Sequence, residues 1–242
     1  MLVDVHTHVT DPAFDSDRKE IIEQSGCVAL INNGYTPQDN EKTIALAKKY
    51  SLIKVALGLH PSETKHMSSK DVDNVISFIA RHKPFAIGEV GLDGTYENMD
   101  QQIAAFKKFI ALAIKKDRPI IVHSRKAELL VVDMLEAAGA KKVILHCFSG
   151  KLKLAERAEK LGWYFSIPPI IRHSTHFQEL VKKISLTRLL TETDAPYLAP
   201  EKGTRNEPKN VSVVVGTIAE IKGLDPKEAE NAIYMNYQRL FF

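Results

Sequence analysis

Two histidines near the start of the chain stand two residues apart, and an aspartate precedes them at the same spacing. In an extended strand alternate side chains point to one face, so Asp4, His6 and His8 share a face of the run Leu2 to His8. Burying imidazole and carboxylate groups without partners is costly, and a bound metal ion is the simplest compensation. Taken alone, such a pair of histidines is more typical of hydrogen-bonded or exposed side chains than of a metal site.

Further ligand-type side chains end or follow short apolar runs, namely Glu89, His123, His146 and Asp194. If each run is a parallel strand of a barrel, these side chains lie at the carboxyl ends, where barrel enzymes build their active sites. With His6 and His8 they form a nitrogen and oxygen donor set without thiolate, which suits Zn, Mn, Co or Fe and, less well, Mg. Such a set exceeds the need of one tetrahedral ion, so the sequence predicts a two-metal site with Glu89 as the bridge.

The elements that must position these residues are short, β-branched apolar runs separated by amphipathic stretches. The runs are Leu2 to His8, Val28 to Asn32, Val55 to His60, Phe85 to Glu89, Ile120 to His123, Val143 to His146, Tyr164 to Ile167 and Leu189 to Thr193. The amphipathic stretches are clearest at 103–114 and 127–138. This alternation predicts a (β/α)8 TIM barrel, with an open doubly wound sheet as the alternative.

An extra C-terminal helix is predicted from Asp225, because Pro226 occupies the first helical position and Glu228 the third, as in a capping box. We expect it to close one end of the barrel. The chain has no linker-like or low-complexity segment. Residues 1–242 are therefore expected to form one hydrolase domain.

The composition indicates an ordinary soluble protein, with 44% hydrophobic and 26% charged residues. The net charge of +3 is too small to indicate a nucleic-acid partner. Cys27 and Cys147 are the only cysteines, which excludes a disulfide framework or a CxxC zinc site. No signal peptide is visible and no apolar run approaches the roughly 18 residues that span a bilayer, so we expect a cytoplasmic protein without membrane association.

Motifs spread along nearly the whole chain resemble those of the TatD family of metal-dependent deoxyribonucleases, in the amidohydrolase superfamily. In order they are VDVHTH, GLHP, GEVGLD, IVHSR, LHCFSG, TETDAPYLAP, GTRNEP and NYQRLF. The resemblance implies a barrel with a binuclear site. It assigns one ion to His6, His8 and Asp194, the other to His123 and His146, and both to Glu89. Asp194 would also accept the proton of the attacking water.

Three residues are expected to contact substrate. His60, in GLHP, lies beside the site in similar proteins, although it also suits a loop histidine that supports the fold. Arg125 directly follows the His123 run and suits a phosphate fork or a surface charge at a helix start. Arg205 belongs to a basic loop after Asp194 that would attract an anionic substrate.

The leading hypothesis is an exonuclease-type hydrolysis of DNA phosphodiester bonds, at exposed ends or single strands. Two divalent ions, of Zn, Mn, Mg or Co, would activate the water. One alternative is a carbonyl substrate, such as an amide, an ester or D-aminoacyl-tRNA. The other is a non-catalytic binding protein with structural metals. No obligate protein partner is indicated.

Overall fold

The computed structural model describes residues 1–242, in which strands and helices alternate. The strands are β1 (Leu2–Thr7), β2 (Cys27–Gly34), β3 (Ile53–Leu57), β4 (Ala86–Gly91), β5 (Ile120–His123), β6 (Val143–His146), β7 (Tyr164–Ile167) and β8 (Leu189–Thr191). The helices are α1 (Arg18–Glu23), α2 (Pro37–Lys49), α3 (Ser69–His82), α4 (Met99–Lys116), α5 (Glu128–Ala137), α6 (Leu152–Lys160), α7 (Thr175–Lys183), α8 (Val211–Lys222) and α9 (Pro226–Phe241).

The strands form a single parallel sheet in chain order from β1 to β8. The sheet curves until β8 meets β1, where the Thr191 hydroxyl donates to the Val3 carbonyl at 2.6 Å. Just beyond the strand end, the backbone N–H of Asp194 donates to the His6 carbonyl at 2.8 Å. The predicted (β/α)8 barrel is confirmed, and the open doubly wound alternative is wrong because the strand order never reverses.

Most of the strands can be predicted from the sequence because they are buried on both faces and therefore consist of continuous apolar runs. In β5 the run Ile120 to Val122 is fully buried, as expected for a strand between a packed interior and a layer of helices. The bounds of β5, β6 and β7 agree with the sequence prediction. The main boundary error is in β3, which begins before the predicted Val55 and ends at Leu57, so His60 lies in the following loop.

The C-terminal helix α9 begins as predicted, with both hydrogen bonds of the Asp225 and Glu228 capping box present. Its Asn236 side chain donates to the carbonyl of Leu189, the first residue of β8, at 2.8 Å. Phe241 stacks on Phe85, just before β4, with ring centroids 4.7 Å apart. Helix α9 therefore covers the amino ends of the strands and leaves the carboxyl ends free for a site.

Both cysteines are free thiols, Cys27 buried and Cys147 half-buried.

None of the helices combines the length and the apolar character that crossing a bilayer requires.

Candidate metal centre

The six residues predicted as metal ligands gather at the carboxyl end of the barrel. His6 lies in β1, Glu89 in β4, His123 at the end of β5 and His146 at the end of β6. His8 directly follows β1, and Asp194 lies in the loop after β8. His6 and His8 are close neighbours in the sequence, but the other four side chains come from different parts of it, so only the closure of the barrel brings the set together. Most of them are buried, with Asp194 and His123 half-buried at the rim.

Four donor atoms form a tight first group: Nε2 of His6, Nε2 of His8, Oε2 of Glu89 and Oδ1 of Asp194. Their measured separations are 3.1, 3.3, 3.4, 3.5 and 3.5 Å. A tetrahedron of ligands around a zinc-type ion, with bonds of about 2.1 Å, has edges of about 3.4 Å. The spacing of these donor atoms therefore fits one divalent ion.

The second oxygen of Glu89 points toward another set of histidines. Its Oε1 lies 2.9 Å from Nδ1 of His123, 3.8 Å from Nε2 of His60 and 3.9 Å from Nε2 of His146. The carboxylate thus presents one oxygen to each group. This is the arrangement that a carboxylate shared between two ions requires.

Hydrogen bonds on the outer side orient the histidine rings. Nδ1–H of His8 donates to the Asn33 carbonyl at 2.8 Å, which leaves Nε2 facing the first group. Nδ1–H of His146 donates to a Glu192 carboxylate oxygen at 2.8 Å. Such partners fix the tautomer of a ligating imidazole and raise its basicity.

His123 is held in the same way by a carboxylate. Its Nε2–H donates to Oδ2 of Asp93 at 3.0 Å while Nδ1 faces Glu89. His6 differs, because its Nδ1 is buried without a hydrogen-bond partner while its ring stacks on that of His146 at a centroid distance of 3.7 Å. Nε2 is therefore the nitrogen of His6 that faces polar groups.

Sequence reasoning missed the orienting acids Glu192 and Asp93, which belong to the motifs TETDAP and GEVGLD. Glu192 is fully buried, and it accepts hydrogen bonds from Nδ1 of His146, the backbone N–H of Cys147 and the hydroxyl of Ser166. An acid directly after an apolar strand was the available signal, since buried carboxylates are almost always paired. The identity of its partner His146 depended on β6, which is separated from β8 by β7 in the sheet.

Burial and neighbouring charged groups shift the pKa values of the clustered side chains in opposite directions. Burial lowers the pKa of His6 to about 4, so this ring is neutral near pH 7 and suits a ligand. Burial also opposes protonation of His146, but the carboxylates of Glu192, Asp194 and Glu89 outweigh it and raise its pKa to about 10. Burial opposes ionisation of Glu89, yet the neighbouring histidines hold its pKa well below the ordinary value. The centre therefore contains ionised carboxylates that attract cations.

Close approach of backbones at this end of the barrel requires glycine. A Cβ atom on Gly58 would lie 2.3 Å from the carbonyl oxygen of Glu89, and one on Gly91 would lie 1.9 Å from that of His123. Any larger residue would push β3 from β4, or β4 from β5. These glycines therefore set the separation of the strands that carry Glu89 and His123.

Of the residues expected to contact substrate, His60 and Arg125 lie where such contact is possible. The His60 ring packs edge-to-face on that of His123 with centroids 4.6 Å apart, so it belongs to the second group of donors. Arg125 is exposed just after β5 and forms no ion pair with the protein. Its guanidinium is therefore free to bind an anion at the open end of the barrel.

Arg205 does not match the expectation of substrate contact. Its guanidinium donates to both carboxylate oxygens of Asp17, to the Ala13 carbonyl and to Glu207, and it lies over the Phe14 ring at 4.8 Å. Sequence spacing could not reveal this, because Asp17 lies far away in the chain. Arg205 instead ties the loop after β8 to the segment before α1.

Arg205→Ala is therefore expected to affect stability and not substrate affinity. Loss of the ion pair with Asp17 and of the packing on Phe14 should lower Tm by about 3 °C. The change is small because partly exposed ion pairs contribute little to stability. KM should stay unchanged. Thermal unfolding and steady-state kinetics of the same preparation test this, and a large rise in KM at unchanged Tm would restore the substrate role.

Similarity to known proteins extends over nearly the whole chain. The family profile described as TatD related DNase matches residues 3–242. A protein of Methanocaldococcus jannaschii named an uncharacterized metal-dependent hydrolase is 38% identical over 99% of this chain and 96% of its own. The human protein named deoxyribonuclease TATDN3 is 36% identical over 99% of this chain and 94% of its own. The crystal structure of the TatD homologue YJJV from Escherichia coli has a TM-score of 0.92 at 26% identity, covering 99% and 97% of the two chains.

Proposed function

The chain belongs to the TatD-related DNase family of metal-dependent hydrolases, and we propose that it hydrolyses the phosphodiester bonds of DNA from exposed single-stranded ends. The observation that carries the proposal is the Glu89 carboxylate, whose oxygens face two groups of donor atoms. Paired ions are a common solution for phosphodiester hydrolysis, since they stabilise both the attacking and the leaving oxygen. The name of the human relative supports DNA as the substrate class.

We assign the first ion to His6, His8 and Asp194, the second to His123 and His146, and Glu89 to both. The donor set supports this assignment, because the spacing of the first group fits a tetrahedral ion and the second group adds imidazoles around the other oxygen of Glu89. Zn, Mn or Co suits such a set better than Mg. When bound, the ions would polarise the phosphoryl group and make water a stronger nucleophile at neutral pH.

The protein residues have separate tasks in this reaction. Asp194 accepts the proton that the attacking water loses, since its carboxylate lies at the rim and is partly exposed. The unpaired guanidinium of Arg125 binds the phosphate and stabilises the charge that develops on it. His60 belongs to the second group of donors, and its ring contacts a phosphate oxygen of the bound strand.

A substrate panel tests the proposal on protein supplied with Mn²⁺, Zn²⁺, Co²⁺ or Mg²⁺. It compares end-labelled single-stranded DNA, duplex DNA, RNA, D-aminoacyl-tRNA and simple amides and esters. We expect metal-dependent shortening of single-stranded DNA that EDTA abolishes. Turnover of carbonyl substrates with intact DNA would contradict phosphodiester hydrolysis, and no turnover of any kind would favour a binding protein.

Glu192→Gln should weaken metal binding without disturbing the fold. The carboxylate that orients His146 would be replaced by an amide, whose single oxygen cannot accept all the hydrogen bonds that now reach two carboxylate oxygens. Loss of such an orienting partner typically lowers metal affinity or activity by about 10- to 100-fold. Metal titration followed by kinetics measures both.

The matched control is Glu156→Gln, the same change at a surface pair with Lys183. It should leave metal affinity and turnover within about twofold of the wild type, because exposed ion pairs contribute little. Equal metal affinity in Glu192→Gln and the wild type would mean that His146 needs no orienting acid.

A further inference from the structure

Two tyrosines stand beside the metal centre on neighbouring loops. Tyr35 follows β2 and Tyr197 follows β8, and both rings meet the His8 ring edge-on, with centroids 5.5 and 6.4 Å away. Because β2 and β8 lie on opposite sides of β1 in the barrel, the two rings flank the end of β1, where His8 is located. Neither ring has a role in the chemistry proposed above.

The Tyr197 ring is exposed although its backbone is held firmly. Its relative exposure is 56%, which is large for an aromatic side chain next to a buried centre. Its backbone N–H donates to the Asp194 carbonyl at 2.8 Å, and its own carbonyl accepts from the Asn206 side chain at 2.6 Å. The phenol donates to Asp11 at 3.3 Å, which fixes the direction of the ring.

An exposed aromatic ring on an ordered backbone is preorganised to stack on a planar ligand. Stacking on a held tyrosine loses little side-chain entropy, because the ring has only two side-chain torsions and the backbone is already ordered. Tyr35 is half-buried, and its carbonyl accepts from the backbone N–H of His60, so its loop is also tied to the centre. The centroids of both rings lie within 6.4 Å of that of the His8 ring, so a base attached to a phosphate at the centre is within reach of them.

We propose that Tyr197, with Tyr35 on the other side of His8, stacks the nucleobase next to the scissile phosphate. This inference rests on the proposed function and specifies its substrate: an unpaired base at a single-stranded end. Every base has a π-face, so the contact is tolerant of sequence. A base inside a duplex is already stacked and would have to leave its neighbours, which favours frayed or single-stranded ends.

The test compares a single-stranded oligonucleotide with one that has abasic residues at its last positions. Base stacking on an aromatic side chain corresponds to about 5- to 150-fold in affinity. Tyr197→Ala should lower kcat/KM for the normal oligonucleotide by such a factor and leave the abasic substrate unchanged. Tyr197→Phe keeps the ring and loses only the bond to Asp11, so it should stay close to the wild type.

Tyr234→Ala is the matched control, because this tyrosine lies on α9 at the opposite end of the barrel. It should leave both substrates unaffected. If Tyr197→Ala slows the normal and the abasic oligonucleotide equally, the ring only supports the loop and stacking is excluded. Unchanged cleavage of both substrates would exclude it as well.

A binding measurement separates this inference from the proposed function, since it needs no turnover. Terminal 2-aminopurine in an oligonucleotide loses fluorescence when it stacks. Quenching by the wild type but not by Tyr197→Ala supports stacking even if DNA is not hydrolysed, in which case only the proposed reaction fails. Binding without quenching overturns the stacking inference and leaves the reaction intact.

Discussion

Asp194→Asn is expected to reduce turnover by about 10²- to 10⁴-fold with substrate binding close to that of the wild type. The change keeps the shape of the side chain and one carbonyl oxygen, but it removes the charge and the basicity. The water that attacks the phosphate would then lose its proton acceptor. In the proposed site the substrate is bound by Arg125 and the loops, so the loss should appear in kcat rather than KM.

Asparagine is the informative replacement because of the backbone at this position. Asp194 has a φ of 56°, a left-handed conformation that asparagine adopts far more readily than alanine does. Its N–H donates to the His6 carbonyl and its carbonyl accepts from the N–H of Tyr197, so backbone strain would disturb both neighbours. Asparagine therefore tests the carboxylate alone.

Asp117→Asn is the matched control, since Asp117 also has a left-handed backbone, with a φ of 49°, but follows α4 far from the centre. It should leave kcat unchanged. Metal content must be measured in the same samples as the kinetics. If Asp194→Asn retains its metals and cleaves within about threefold of the wild type, another group accepts the proton.

Glu89→Ala is expected to remove metal from both positions and to abolish activity. Glu89 is the one carboxylate that faces both groups of donor atoms, with Oε2 toward His6 and His8 and Oε1 toward His123. Since a catalytic metal ion typically stabilises a transition state by several kcal/mol, the loss should be on the order of 10³-fold or more. Elemental analysis of the purified protein gives the metal count.

His123→Ala provides the comparison, because its Nδ1 faces only Oε1 of Glu89. It should lower metal content at mainly one position. Circular dichroism should show an unchanged fold in both variants, since the packed barrel core does not depend on these side chains. A full complement of two ions in Glu89→Ala would exclude the bridging role.

The sequence was sufficient to predict the barrel because its evidence is local. Each strand is a short apolar run, such as Ile120 to Val122, and each run ends at a turn or a polar residue. The capping box at Asp225 is equally local, and helix α9 begins there. Parallel strands then bring their carboxyl ends together, so the gathering of the predicted ligands followed from the fold class.

The partners of these residues depended on contacts between distant segments. The basic loop after Asp194 suggested that Arg205 binds substrate, whereas in the structure its guanidinium pairs with Asp17. Nothing near Glu192 in the chain indicates that it orients His146 from the next strand but one. Hydrogen bonds and ion pairs of this kind are chosen by the packing of neighbouring strands and loops, which periodicity does not encode.

Residue types and their order along the chain were therefore enough to predict the family, the barrel and the candidate ligands. The tertiary structure alone decided which nitrogen of each histidine faces the centre, that Glu89 divides its oxygens between two groups, and that the Tyr197 ring stays exposed. The physical reason is the different sequence range of the two kinds of interaction. Strand and helix preferences act over a few neighbouring residues, whereas ring orientation and exposure result from contacts that form only when β8 closes on β1.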